Sequence, residues 1–348
     1  MKKRIIGLLA ACSLCVLGSL SSAAPQASLL SASAALSKVY AAAVNPTSPE
    51  AGPELAFPVL SDVHVQEWDK GSIRKFKNAL NDLHAINPNA DALVINGDLT
   101  GGMPRDYKRY ADILENTPHP PVYHAIGNHE FYKAWLNADG GWAGESFPNG
   151  ETEQASINRF LALNNQSKVY YDQWIKDYHF LFLGSEQYRQ SDPNNAEDAY
   201  LSDEQLRWLE AKLQEKQDPS KPIFVFLHQP LPNTVAGSID RGIVQHEQLK
   251  AILKKYPQVV FFSGHSHWQL EIPGSFVKDG FSMVNTSSVN EPFNENNEPV
   301  EVDISQGLYV EVFEDRVVIR GRSFDQRNWI PYSEYVIPRV VQHGQASQ

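Results

Sequence analysis

Cysteine is almost missing from this chain. Cys12 and Cys15 are the only two in 348 residues, and both lie close to the N-terminus. If that segment is removed, no thiol remains. This excludes disulfides, thiolate metal sites and a cysteine nucleophile. Long apolar runs are missing too once the N-terminus is passed. A membrane-spanning helix needs about 20 such residues, so no transmembrane span is expected in the mature chain. Basic residues are scarce, at 30 against 41 acidic ones, for a net charge of −11. Such a surface repels polyanions at long range. No basic stripe interleaved with stacking aromatics is visible, so no stable nucleic-acid complex is expected.

The first residues have the layout of a targeting segment. "MKKR" is basic, "IIGLLAACSLCVLGSL" is apolar and "SSAAPQ" supplies small residues for cleavage. The reading is a signal peptide over 1–23, an Ala/Ser/Pro-rich linker over 24–53 and one folded domain over 54–340. The alternatives are a retained membrane anchor and a lipoprotein at Cys12, where "LAAC" follows a short apolar run. Loss of Lys2, Lys3 and Arg4 leaves 27 basic against 41 acidic residues, a net charge near −14. An exported protein of this size without disulfides fits a secreted or cell-envelope bacterial enzyme.

Past the linker, short apolar strands alternate with helical patterns, which indicates α/β architecture. "LAFPVL", "DALVIN", "PVYHAI", "PIFVFL" and "VVFFS" read as strands. "SIRKFKNALNDLHAI" places Ile73, Phe76, Leu80 and Leu83 at helical spacing. "SDEQLRWLEAKLQEKQ" reads as a helix opened by a capping box of Ser202 and Gln205. "VYYDQWIKDYHFLFLGSE" and "GLYVEVFEDRVVIRGRSF" read as hairpins. Residues 137–155 read as a Gly-rich loop carrying Trp142 and Phe147, long enough to suggest a function.

Five of those strands end in polar turns: "SDVH" (Asp62, His64), "NGDL" (Asp98), "GNHE" (Asn128, His129), "FLHQP" (His228) and "SGHSH" (His265, His267). Five of the 11 histidines fall there. Scattered surface histidines have no reason to favour strand ends. Taken singly, His265 is an ordinary loop histidine, Asn128 a turn residue, and Asp62 and Asp98 helix caps. Taken together, imidazoles, carboxylates and one carboxamide make a mixed N/O donor set. It suits Mn, Fe or Zn rather than calcium or a structural zinc knot. The donors exceed what one ion takes, and a carboxylate such as Asp98 can bridge two.

The order Asp-x-His, Gly-Asp, Gly-Asn-His-Glu, His, Gly-His-x-His resembles the calcineurin-like metallophosphoesterases over about residues 57–320. "HQPLPN" is similar in addition to the His-x-Pro turn of class III cyclic-nucleotide and glycerophosphodiester phosphodiesterases. The resemblance implies an α/β fold of two facing mixed β-sheets flanked by helices, a four-layer α/β/β/α sandwich. It implies two divalent or trivalent transition-metal ions. Asp62, His64 and His267 would hold one, Asn128, His228 and His265 the other, and Asp98 would bridge them. His129 would face the substrate and assist the leaving group. Glu130, where an aspartate is commoner, would orient the His129 imidazole. Gly101 stands where purple acid phosphatases have their charge-transfer tyrosine.

The function implied is exported, metal-dependent hydrolysis of small phosphate esters. A phosphodiesterase is the leading reading, working by in-line attack of a metal-bridging hydroxide. The alternatives are a phosphomonoesterase or nucleotidase, and a catalytically silent wall-associated binding protein. Such a binding protein should lack ligands, and none is missing here. Phe131, Tyr132, Trp142 and Phe147 would line the substrate cleft or pack the loop. Asn233 and Thr234 would reach substrate, and "NTSS" (Asn285–Ser288) would support the site. His84, His119, His124, His179, His246 and His343 read as ordinary core or surface residues. Nothing in the sequence specifies an oligomer.

Overall fold

The structure, a computed structural model, describes residues 52–216, 218–239, 242–300 and 303–339. The expected signal peptide, nearly all of the linker and His343 lie outside them.

Two six-stranded sheets carry the fold. In the first, β1 (Leu55–Leu60) lies in the middle. It runs parallel to β2 (Leu93–Asn96), which runs parallel to β3 (Val122–Ala125). In the second, β4 (Tyr171–Ile175) and β5 (Tyr178–Phe182) form the expected hairpin. From β5 the sheet continues in parallel through β6 (Ile223–Phe226), β7 (Val259–Ser263) and β9 (Ser282–Asn285), and β8 (Phe276–Lys278) closes its edge. The first sheet is completed on the other side of β1 by β10 (Gln306–Val312), β11 (Arg316–Ser323) and β12 (Asn328–Pro338), all antiparallel. Strand β12 was not anticipated. Pro331 and Pro338 argue against a central strand, but β12 is an edge, where proline is tolerated.

The sheets face one another across an apolar seam. Phe57 from β1 sits edge-on to Phe180 and Phe224, each at 4.9 Å. Phe182, Phe226 and Phe262 stack in sequence at 5.0 and 5.1 Å. Each fully buried ring contributes roughly 1.5–3 kcal/mol. Strands buried on both faces read as continuous apolar runs, which is how "IFVF" and "VVFF" appear.

Helices cover the outer faces. Helix α1 (Lys70–Ile86) starts at Asp69, whose carboxylate accepts from Gly71 N and Ser72 N at 2.8 and 3.2 Å. It packs Ile73, Phe76, Ala79, Leu80 and Leu83 on the first sheet together with α2 (Pro104–Glu115) and α3 (Glu153–Asn164). The second sheet is covered by α4 (Asp203–Gln214) and α5 (His246–Leu253). Helix α3 takes the end of the stretch read as a loop over 137–155. The cap of α4 is also revised. Ser202 Oγ accepts from Gln205 N at 3.2 Å as expected, but the Gln205 side chain turns away to Gly184, and Glu186 takes the Ser202 N–H at 2.7 Å.

The parallel strands of both sheets end on one side of the molecule, and the five ligand-bearing turns follow them. Among the described residues no helix is long and apolar enough to cross a membrane.

Candidate metal centre

The first-sheet turns are threaded together by backbone bonds. Asp62 N donates to Gly97 O, Val63 N and His64 N donate to Asp98 O, and Val65 N donates to Leu99 O, at 2.9–3.2 Å. The second sheet joins through a residue that local sequence did not mark. Asn96, buried at the end of β2, donates from Nδ2 to Leu227 O and Phe262 O at 3.2 and 3.1 Å. Its carbonyl accepts from Ser61 Oγ and from His228 Nδ1, at 2.9 and 2.8 Å. Closeness explains two glycines. A Cβ on Gly97 would fall 2.5 Å from the His228 ring, and one on Gly127 would fall 2.2 Å from Asp98 Oδ1.

Five candidate ligands have left-handed backbone: Asp62, His64, Asp98, His265 and His267, with φ between 47° and 67°. That conformation costs a non-glycine residue on the order of 1–3 kcal/mol and persists where the surroundings over-determine it. Here it turns each side chain inward.

Two clusters of ligating atoms result. Asp62, His64, Asp98 and His267 form one, and Asp98, His228 and His265 form the other, with all atoms of a cluster within 4.8 Å of one another. Asp98 belongs to both. His267 Nε2 lies 3.0 Å from Asp62 Oδ1 and 3.1 Å from His64 Nε2. His228 Nε2 lies 3.1 Å from Asp98 Oδ2. Asn128 joins the second cluster through Oδ1, 3.0 Å from His265 Nδ1.

Four of the donors are aimed by a second contact. Asp98 Oδ1 accepts from His129 N at 2.8 Å, and Asp62 Oδ2 accepts from His265 N at 3.1 Å, which leaves the other oxygen of each turned to the cluster. His267 Nδ1 is held by Glu291 O at 2.8 Å, as His228 Nδ1 is by Asn96 O. Such contacts fix the ring and leave Nε2 as the donor atom. The "NTSS" segment does support the site. Ser288 Oγ donates to Asp62 O at 3.0 Å and accepts from Asn290 N and Glu291 N at 3.1 and 2.9 Å.

The residues fit metal ions. Asp62 Oδ1 and His228 Nε2 are buried and make no hydrogen bond of acceptable geometry. Burial opposes charge on Asp62 and Asp98, yet the surrounding imidazoles hold both well below the usual carboxylate range. Burial also opposes charge on His228, and the two carboxylates overcome it, raising His228 to about 10. His265, burdened by burial and by His228, falls to about 4. The carboxylates therefore draw positive charge into the place where cations would sit.

His129 stands beside the clusters. Its Nε2 is 3.9 Å from Asp98 Oδ2, its ring stacks on Tyr132 at 3.7 Å, and its side chain is 27% exposed. Glu130 requires a correction. It does not turn to the His129 ring. Fully buried, it accepts from Asp98 N, Leu99 N, Thr100 N and Gly127 N at 2.8–3.2 Å, which locks two of the turns together. Burial and then the nearby Asp98 push its pKa up to about 8, against those N–H groups.

Phe131 is likewise not a cleft residue, since it is fully buried and stacks on Tyr188 at 5.1 Å. Trp142 is 66% exposed and lies flat on Trp135 at 5.3 Å, and Phe147 meets Trp135 at 4.2 Å. Asn233 and Thr234 close a turn onto Ser238. His124 and His179 are buried against Tyr110 and Asp172.

The profile of the family described as "Calcineurin-like phosphoesterase" matches residues 57–269. The chain belongs to that family. It is a metal-dependent phosphoester hydrolase. Among solved structures it is similar to a dimetal phosphatase from Danio rerio, with 17% identity, a TM-score of 0.57, and coverage of 82% of this chain and 99% of that one. A purple acid phosphatase from yellow lupin seeds follows at 15% identity and a TM-score of 0.52, with 84% and 54% covered. GAP50, the anchor in the inner membrane complex of Plasmodium, shares the fold at 13% identity and a TM-score of 0.50, with 83% and 89% covered. No curated protein sequence matches the chain.

Proposed function

We propose that this calcineurin-like phosphoesterase is an exported phosphodiesterase with two metal positions. Asp62, His64 and His267 would hold one ion and Asn128, His228 and His265 the other, with Asp98 shared. The observation that carries this reading is the membership of Asp98 in both clusters. The donor set of imidazoles, carboxylates and one amide suits Mn, Fe or Zn. Bound there, two cations supply an acidified water and screen the phosphoryl oxygens.

The chain's own residues do the rest. The buried turns hold the donors rigid, so little reorganisation is needed during reaction. His129 is the one site histidine outside both clusters, and it is partly exposed. It donates a proton to the departing alkoxide, with Tyr132 beneath its ring fixing its plane. The preference for a diester rests on charge. A monoester carries a second negative charge that needs another cation. Among the described residues, three cations on the segments around the site are already committed. Arg189 pairs with Glu197 at 3.2 Å, Lys133 with Glu151, and Lys75 with the Asn290 carbonyl.

Export rests on the sequence of residues 1–23. The test is the mature chain, chelator-stripped and reconstituted with Mn, Zn or Fe, assayed on bis-p-nitrophenyl phosphate and p-nitrophenyl phosphate. The diester should be preferred. His129→Ala should keep both ions and lose roughly 10²–10⁴-fold in kcat on an unactivated alkyl ester. Monoester preference would contradict the diesterase reading, and full activity of His129→Ala would contradict the role of that residue.

A further inference from the structure

Asn128 poses a problem that the family pattern does not solve. A carboxamide has two ends of nearly the same shape. Only Oδ1 can face a cation, whereas Nδ2 would repel it. Buried to 3% exposure, Asn128 cannot leave that choice to water. The choice is made by a residue in a different part of the chain, between β5 and α4. Asn128 Nδ2 donates to Glu197 Oε2 at 3.0 Å. A carboxylate accepts and does not donate, so only the Nδ2 end can face Glu197 and Oδ1 must face the cluster.

Glu197 is itself held from three directions. Tyr188 Oη lies 3.0 and 2.9 Å from its two oxygens and donates to them. Trp135 Nε1 donates to Tyr188 Oη at 2.9 Å, which commits the hydroxyl proton to Glu197. Arg189 Nη2 pairs with the carboxylate at 3.2 Å. The Glu197 carbonyl accepts from Gln229 Nε2, next to His228, at 3.1 Å. These contacts lie on the Asn128 and His228 side of the centre, and none reaches Asp62, His64 or His267.

We propose that Glu197 is a positioning residue. It selects the coordinating end of Asn128 and so sets the affinity of the metal position formed by Asn128, His228 and His265, leaving the other position alone. The proposal rests on the two-ion reading above and assigns a role to a residue outside the five motifs.

The experiment counts metal per chain and titrates Mn into the stripped mature protein by calorimetry. Wild type should bind two ions. Glu197→Leu, close in size but unable to accept, should keep one affinity and weaken the other on the order of 10–100-fold. Glu197→Gln offers an acceptor oxygen again and should recover most of the loss. Asn128→Ala should weaken the same step, and adding Glu197→Leu to it should cost little more. Two ions at wild-type affinity in Glu197→Leu, or equal weakening of both, would overturn the proposal. If Glu197→Leu does not fold, Tyr188→Phe decides. It keeps the ring and removes the donor to Glu197, so selective weakening of one step supports the proposal and any other pattern overturns it. Wild type binding fewer than two ions would instead sink the two-ion reading itself.

Discussion

The two halves of the centre are built differently. Asp62, His64 and His267 are held mainly by backbone, with one hydroxyl added. The turn after β1 is threaded against residues 97–99, and the turn after β9 hands Ser288 Oγ to Asp62 and Glu291 O to His267. Asn128, His228 and His265 depend more on distant side chains, with Asn96 Nδ2 tying down Leu227 O next to His228 and Glu197 behind Asn128. Backbone support tolerates sequence change. Side-chain support fails with one substitution. The second position should therefore be the easier of the two to lose by mutating a residue that binds no metal.

The largest break expected is at the shared part. Gly127→Ala would place a methyl 2.4 Å from Asp98 N and closer still to its carboxylate, both fixed, so the bridging turn has to move. Both halves should loosen together, with almost no metal retained, as metal analysis would show. Glu130→Gln is milder. A carboxamide has one accepting oxygen for four N–H donors, and each donor left buried and unpaired costs about 1–3 kcal/mol. Stability in urea should fall by several kcal/mol, and both metal affinities should fall alongside it. A variant as stable as wild type with altered kcat alone would restore the catalytic role first read for Glu130. Ser288→Ala should have the smallest effect and confine it to the other half. One donor bond and two accepted bonds disappear, the affinity of the Asp62, His64 and His267 position drops by roughly tenfold, and the second position stays. Equal losses at both positions would erase the contrast between the halves.

The parts of this centre that could be read from sequence are those whose signal is local. A run such as "VVFFSGHSH" shows strand, turn and ligands within nine residues. The strands were legible because burial on both faces leaves a continuous apolar run. Helix α1 was legible because Ile73, Phe76, Leu80 and Leu83 mark one face. Ser288 was legible within the "NTSS" segment that ends β9, whereas Glu197 and Asn96 were not legible as parts of the centre. Each is an ordinary polar residue whose role exists only once two sheets meet. Glu130 was misread for a related reason. Adjacency to His129 suggested a partner, but the 3₁₀ turn over His129–Trp135 points the carboxylate down into the backbone of a neighbouring turn. Strand β12 was hidden by its prolines, and the last part of the 137–155 loop by the weak apolar periodicity of α3.

The most direct test of the central claim is the metal content of Asp98→Asn beside wild type, both reconstituted with Mn and counted per folded chain. One carboxylate shared between two positions predicts two ions in wild type and loss of both in Asp98→Asn, with affinities falling in parallel by at least roughly 100-fold. An Asp98→Asn protein that keeps one ion at wild-type affinity would show that the two clusters are independent and that Asp98 does not bridge them.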